Sequence, residues 1–109
     1  MDPDLQLRGD PAAWERVLVN LLINSAEAGA GHVEIRAREG EIVVRDDGTG
    51  ISPDILPIIF QPNVSTKPIL SGLGLYVVQS IVEQHGGSVT ASNLLGGGAE
   101  FRMRLSALK

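Results

Sequence analysis

Two strand-forming segments with a very short connection are the feature that most restricts the fold of this chain. Residues 33–38 alternate between apolar and charged side chains, residues 41–45 are rich in β-branched side chains, and only Glu39-Gly40 separates them. A connection of two residues can join only antiparallel neighbours, so the pattern predicts a β-hairpin. A hairpin is not stable alone, and the rest of the chain must therefore supply an apolar layer against it.

Two helices are predicted to supply that layer. The first begins at Asp10-Pro11, where Asp10 can cap the free N–H groups and Pro11 suits the first helical position, and it runs to Gly29. A second helix is predicted over 73–85, with Gly86-Gly87 as its end. The apolar face of the first helix, with one serine, consists of Trp14, Val17, Leu18, Leu21, Leu22 and Ser25.

The remaining segments complete the predicted architecture. Alternation indicates strands at 5–8, 88–92 and 101–105, whereas 61–71 is predicted to be a loop. Ser52-Pro53 predicts a third, short helix that Pro57 limits. We therefore expect an α+β fold, a two-layer α/β sandwich in which three helices cover one face of a mixed sheet of about five strands. At 109 residues, the whole of 1–109 is expected to form one domain.

Composition excludes several classes of function. Nine basic against 13 acidic residues give a net charge of −4, the wrong sign for binding nucleic acid or an anionic membrane surface. There is no cysteine, which excludes disulfides, zinc thiolates and thiol nucleophiles. No apolar run approaches the roughly 20 residues of a membrane span, and the acidic start is unlike a signal peptide. We expect a soluble piece in the cytoplasm, with no nucleic acid partner and no direct membrane contact.

Two asparagines interrupt the apolar first helix. Asn20 and Asn24 lie about 40° apart around the helix axis and so share one stripe. An unpartnered buried amide costs about 1–3 kcal/mol, so each needs a partner. An amide oxygen is a suitable ligand for Mg²⁺. The alternative is that both amides bond to a neighbouring loop.

Two glycine-containing segments lie beside predicted elements. One follows a predicted strand, and the other precedes a predicted helix. Asp46-Asp47-Gly48-Thr49-Gly50-Ile51 places a carboxylate at a strand end beside a backbone bare enough for a flat ring, although the same residues also suit a simple turn. Ser71-Gly72-Leu73-Gly74-Leu75 leaves N–H groups free at a helix start, which favours an anion but also suits a tight helix entry. Ser65-Thr66-Lys67 precedes it with two hydroxyls and one cation.

The order of these motifs resembles the catalytic ATP-binding domain of sensor histidine kinases, in the GHKL superfamily with type II DNA topoisomerases and heat-shock chaperones. The resemblance covers Leu5 to Leu105, and the residues Ser-Thr-Lys-Pro before Gly-Leu-Gly-Leu are most similar to kinases of the nitrogen-regulation type. It implies a Bergerat-type fold. Asn20–Asn24 resembles the N box, Asp46–Gly50 the first glycine box, Phe60 the F box, Gly72–Leu75 the second glycine box, and Gly96–Phe101 the final glycine-rich turn.

The resemblance also implies a role for each matching residue. Asp46 would bind the adenine amino group beside Gly48, with Gly50 and Ile51 lining the ring; Asn24 would coordinate Mg²⁺. The other implied contacts to ATP are Asn20 beside the phosphates, Phe60 of the F box, Thr66 and the cation Lys67 near the γ-phosphate, and Gly72, Leu73, Gly74 and Leu75 of the second glycine box. Asn20 and Lys67 would be the catalytic residues.

The sequence departs from the family pattern at four positions. Leu70 stands where many members have glycine, and Ser25 and Glu27 stand where the N box usually continues with alanine and often a basic residue. Ala99 occupies a position where a threonine or serine is frequent, so one hydroxyl on the adenine side is expected to be missing.

The resemblance implies an ATP- and Mg²⁺-binding domain that supplies the γ-phosphoryl group to a histidine. Neither His32 nor His85 lies in a long dimerisation helix, so the acceptor is expected on a separate dimerisation domain, with a response regulator as the indirect partner. Two alternatives stay open: a GHKL ATPase that couples hydrolysis to movement, and a non-enzymatic nucleotide-sensing or anti-sigma module. Superfamily hydrolases carry a glutamate where this chain has Asn20, which favours transfer. The parent kinase could be anchored in a membrane, with this domain in its cytoplasmic portion.

Overall fold

The structure is a computed structural model that describes residues 11–62 and 74–105. Helix α1 spans Pro11–Glu27 and helix α2 spans Gly74–Gln84. The strands are β1 (Val33–Arg38), β2 (Glu41–Asp46), β3 (Gly87–Asn93) and β4 (Ala99–Leu105), and a short 3₁₀ helix spans Leu56–Ile58. The predicted α+β fold is therefore confirmed. The predicted strand at 5–8 lies outside the described residues.

The four described strands form one sheet in the order β1-β2-β4-β3, and every neighbouring pair is antiparallel. The predicted mixed sheet is therefore not what these strands form. For two of the three pairs the reason is local, because β1–β2 and β3–β4 are hairpins whose short connections allow only antiparallel pairing. The third pair, β2–β4, joins the two hairpins. The numbers of strands and helices also differ from the predicted five and three. The described part of the chain contains four strands, two α-helices and one 3₁₀ turn.

The end of α1 is set by glycine. Gly29 has φ +78°, and its N–H donates to the Ala26 carbonyl while the Ala30 N–H donates to the Ser25 carbonyl. These two bonds form a Schellman motif, which closes the helix two residues before the predicted end at Gly29. The direction of the chain after α1 is thereby fixed toward β1.

The predicted short helix at Ser52-Pro53 is wrong in both start and end. The N–H groups of Ile55 and Leu56 both donate to the Ser52 carbonyl, but the regular turns begin only at Leu56 and include Pro57. Pro57 has no N–H to continue an α-helical ladder, so the segment becomes a single 3₁₀ turn with proline near its start.

The core lies between the sheet and the two helices. Alternate residues of β2 and β4 face it, and all of their neighbours on the opposite face except Val43 carry charge. There Arg102 donates to Glu100 at 2.7 Å and to Glu41 at 3.0 Å, and its bond to Glu100 is the main cause of a raised pKa of the guanidinium. No helix in the described ranges is long and apolar enough to cross a membrane. The least exposed core side chains include Val17, Leu21, Val44, Val78, Val82, Phe101 and Met103.

Candidate functional site

The Asp46 carboxylate is the centre of the candidate site. It ends β2, is only 5% exposed, and is held by three donors. Its Oδ1 accepts from the backbone N–H of Gly48 at 3.0 Å and of Ala99 at 3.1 Å, and its Oδ2 accepts from the Ser25 hydroxyl at 2.7 Å. A carboxylate can accept about four hydrogen bonds, so one acceptor position on Oδ2 is left for a ligand donor.

The segment after Asp46 lies against the end of α1. The N–H of Thr49 donates to the Ala28 carbonyl at 3.0 Å. A Cβ on Gly48 would lie 2.8 Å from that same carbonyl oxygen, so only glycine allows this approach. The first helix and the glycine segment are therefore in direct contact, although 20 residues of sequence separate Ala28 from Gly48.

The second carboxylate of the segment has a different environment. Asp47 is exposed and accepts hydrogen bonds from the N–H groups of Gly31 and His32 at 2.7 and 2.9 Å. The backbone bond from His32 is the main reason that the pKa of Asp47 is lowered from 3.8. Asp47 thus fastens the connection before β1, and of these two carboxylates only that of Asp46 is buried.

The far end of the segment is held by Asn93. Its Oδ1 accepts from the Ile51 N–H at 2.7 Å, and its Nδ2 donates to the Ile51 carbonyl at 2.7 Å. Asn93 carries no signal in the sequence, because it is 42 residues from Ile51 and stands in no motif. The predicted glycine-rich turn Gly96–Phe101 begins three residues further along the chain.

The two asparagines of α1 behave differently. The Asn20 Nδ2 donates to the Gly74 carbonyl at 3.1 Å, which joins α1 to the first residue of α2. Asn20 therefore makes the kind of backbone contact that the non-functional alternative requires. The half-buried side chain of Asn24 has no hydrogen-bond partner among the described residues, so its amide oxygen is available to a ligand.

The sequence matches over residues 9–109 the family described as histidine kinase-, DNA gyrase B- and HSP90-like ATPase. The chain belongs to this family. The match covers α1, Asp46 and the glycine segments described above. It confirms the resemblance to the superfamily that was drawn from the motifs, whereas the likeness to kinases of the nitrogen-regulation type stays a prediction.

The curated relatives of this ATPase domain are sensor histidine kinases. The chain is 39% identical over 110 residues to sensor histidine kinase ZraS of Salmonella typhimurium, which covers 94% of the chain and 24% of that protein. It is 36% identical over 112 residues to sensor histidine kinase component HK1 of Mycobacterium tuberculosis, covering 95% of the chain and 67% of that protein. The chain thus spans about a quarter of the length of ZraS.

Solved structures of similar fold are also histidine kinases. The catalytic domain of ThkA superposes with a TM-score of 0.77 at 27% identity, covering 95% of this chain and 72% of that one. Full-length ShkA in complex with AMPPNP gives a TM-score of 0.78 at 29% identity, covering 97% of this chain and 24% of that one. The chain is therefore homologous to the catalytic ATP-binding domains of sensor histidine kinases.

Other predicted site residues of the ATPase domain fall into two groups. Phe60 packs edge-on against Phe101, with ring centroids 6.4 Å apart, and the Leu75 side chain is buried in the core at 8% exposure. Leu75 can thus contribute to a ligand only through its backbone. Outside the described residues lie Thr66, Lys67, Gly72 and Leu73 of the predicted site, and Leu70.

The structure adds two donors that the sequence analysis did not assign to the site. Ser25 was placed on the apolar face of the helix, yet its fully buried hydroxyl bonds to Asp46. Ala99 offers no hydroxyl, but its N–H bonds to the same carboxylate. The departure of Ser25 from the usual alanine gave a signal, and its meaning became visible only once α1 was packed beside β2.

Proposed function

We propose that this domain binds ATP with Mg²⁺ and supplies the γ-phosphoryl group to a histidine on a separate helical dimerisation domain. The observation that carries the proposal is the buried Asp46 carboxylate, which three donors hold and which keeps one acceptor position on Oδ2. A fixed, desolvated acceptor suits an exocyclic amino group such as that of adenine. Membership of the ATPase family supports the same ligand.

The ring is proposed to lie beside Gly50 and Ile51. Gly50 has φ +80° and no side chain, so the backbone there is open to a flat ligand. Ile51 is half-buried and packs against the core, which gives the ring an apolar neighbour. Gly48 serves the site indirectly, through its contact with Ala28.

The phosphates and the metal are proposed to lie near α1 and the start of α2. The Asn24 amide oxygen is available and is a hard ligand of the kind that Mg²⁺ accepts together with water and phosphate. The described residues contain no cluster of three or more His, Cys, Asp or Glu that could hold the ion instead. When bound, Mg²⁺ neutralises charge that develops on the phosphates.

The other phosphate contacts are proposed from the family pattern. Gly72, Leu73, Gly74 and Leu75 would contribute backbone N–H groups, and Thr66 and Lys67 would lie near the γ-phosphate. Asn20 would position this end of the site through its bond to Gly74. Phe60 would support the site from its contact with Phe101.

Phosphoryl transfer is favoured over hydrolysis by Asn20. A carboxamide cannot accept a proton from water, so this position lacks a general base, which contributes about 10²–10⁴-fold to a rate. The Asn20 amide also donates to a carbonyl oxygen, and a carboxylate would repel that oxygen at the same distance. We expect slow hydrolysis by the domain alone, and transfer when an acceptor histidine is supplied.

The partners follow from the proposed reaction. The acceptor histidine would lie on the dimerisation domain of the parent kinase, and a response regulator would receive the phosphoryl group from it. The sensor kinases to which the chain is homologous support this arrangement. We propose that the domain works in the cytoplasm, and the negative net charge supports an absence of contact with nucleic acid or the membrane surface.

The proposal is tested in two steps. Saturating ADP or ATP with Mg²⁺ at 100 times Kd should stabilise the fold by about 2.7 kcal/mol, or roughly 10–20 °C in Tm. The domain is then mixed with γ-labelled ATP and the separately purified dimerisation domain, and acid-labile label on that domain is measured. Absence of a Tm shift would overturn nucleotide binding. Rapid hydrolysis that ignores the dimerisation domain would favour the ATPase alternative.

A further inference from the structure

We infer that Asn93 is a positioning residue for the base of the nucleotide, because it fixes the backbone of Ile51 relative to Asp46. The inference rests on the proposed function, in which Asp46 and Ile51 contact the edge and the face of the ring. Asn93 itself is exposed at the end of β3 and lies outside the family motifs that the sequence analysis identified.

The carboxamide of Asn93 matches the backbone of Ile51 on both sides. It accepts from the N–H and donates to the carbonyl, each at 2.7 Å. Only asparagine and glutamine carry a donor and an acceptor on one planar group that can do this. The pair of bonds imitates one step of strand pairing and holds both position and orientation of the Ile51 peptide groups.

Gly50 leaves open the space that the Asn93 side chain occupies when it bonds to Ile51; we call this pair of hydrogen bonds the clamp. A Cβ at Gly50 would lie 2.9 Å from Asn93 Oδ1, and the φ of +80° at Gly50 is itself unfavourable for other residues. The glycine that opens the ring site therefore also admits the asparagine that holds it.

The β3–β4 hairpin fixes both ends of the segment 46–51. Asn93 and Ala99 are register partners across the hairpin. The Ala99 N–H holds Asp46, and the Asn93 carboxamide holds Ile51. The separation of the two proposed ring contacts is thus set by one cross-strand pair, and the base must fit that separation.

Loss of the clamp should affect binding of the base more than stability. The bonds between Asn93 and Ile51 are exposed, so water can replace the side chain on both backbone groups. The Ile51 segment would then have to be ordered again on each binding event, which lowers affinity. The phosphate end of the site has no contact with Asn93 among the described residues and should be unaffected.

The test compares Asn93→Ala with Asn93→Gln and with the control Ser92→Ala. Ser92 is the exposed neighbour on the same strand, with no side-chain hydrogen bond among the described residues. For Asn93→Ala we expect the Kd for ADP and the KM for ATP to rise about fivefold or more, with kcat unchanged and Tm within about 3 °C of the parent domain. Hydrogen exchange of the Ile51 amide should accelerate.

The remaining outcomes separate the possible errors. Asn93→Gln should not restore the affinity, because its amide lies one methylene further out, and Ser92→Ala should behave as the parent. If Asn93→Ala binds ADP within twofold of the parent, or if kcat and Tm fall together with affinity, the positioning role is wrong. If the unaltered domain itself fails to bind ADP, the proposed function fails first, and this inference fails with it.

Discussion

The Ser25 hydroxyl donates a 2.7 Å hydrogen bond to Oδ2 of Asp46, and both side chains are buried. This bond joins the middle of the site to α1. Asp46 Oδ1 is held by two backbone N–H groups, so the hydroxyl of Ser25 is the side-chain donor that orients the other oxygen. Ala99 stands where a threonine or serine is frequent and brings no hydroxyl. The carboxylate nevertheless receives a hydroxyl donor, which comes from Ser25.

Ser25→Ala should lower the free energy of unfolding by about 1–3 kcal/mol, because a buried carboxylate oxygen loses its donor. Urea denaturation measures the change, and the exposed substitution Ser92→Ala should stay within about 0.5 kcal/mol of the parent. In a double-mutant cycle, Ser25→Ala and Asp46→Asn should be coupled. Strictly additive effects would show that the charge-assisted bond from Ser25 stabilises the fold no more than the bond that an amide makes at the same place.

Asp46→Asn should weaken ADP binding more than tenfold while the fold survives. A charge-assisted acceptor, worth about 1.5–3 kcal/mol, is replaced by an NH₂ donor that faces the amino group of the base. The fold survives because the amide oxygen can accept from Gly48 and Ala99 and the Ser25 hydroxyl can rotate. Titration calorimetry gives the affinity. Asp47→Asn is the matched control, and equal effects of the two substitutions would remove Asp46 from the site.

Asn24→Ala should weaken nucleotide binding in Mg²⁺ more than in a chelator, because it removes an amide oxygen that no described residue occupies. The measurement is the ATP affinity with Mg²⁺ divided by the ATP affinity in a chelator. This ratio is compared between the parent domain and the variant. A large fall in that ratio supports a metal ligand. The same loss under both conditions would instead give Asn24 a structural role.

Gly98→Ala should be far more destabilising than Gly96→Ala. Both glycines have positive φ, +97° and +89°, so backbone strain of about 1–2 kcal/mol is common to both substitutions. A Cβ at Gly98 would overlap the Asp46 carbonyl oxygen, whereas a Cβ at Gly96 meets nothing within 4 Å. Thermal denaturation should place Gly98→Ala at least about 2 kcal/mol below Gly96→Ala. Equal stability of the two variants would contradict the close approach.

Asp47 should make the stability of the domain sensitive to acid. Its pKa in the folded state is lowered from 3.8, mainly by the backbone N–H of His32. The contribution is therefore present above the unfolded pKa and is lost as the pH falls through the lower folded value. Urea midpoints of the parent and Asp47→Asn should differ at pH 7 and converge as the pH falls through the folded-state pKa of Asp47. Parallel curves over that range would exclude this linkage.

Local signals in the sequence predicted much of the fold. The hairpin 33–45 follows from alternation and a two-residue connection, and the apolar spacing of α1 follows from Trp14, Val17 and Leu21. These predictions succeed because each depends on neighbours within a few residues. The prediction of a short helix at Ser52-Pro53 was wrong because Pro57 allowed only a 3₁₀ turn. A few hydrogen bonds decide between the two types of helix, and residue spacing does not show them.

By itself, the sequence determined the family and the order of the motifs, and it marked Asp46 as the carboxylate of the proposed site, because these are written in residue type and spacing. Only the tertiary structure decided which groups hold that carboxylate and the ring segment. Ser25, Ala99 and Asn93 act on partners 21, 53 and 42 residues away. A hydrogen bond between residues so far apart leaves no local pattern, since it exists only after α1 and the β3–β4 hairpin have packed around the segment 46–51.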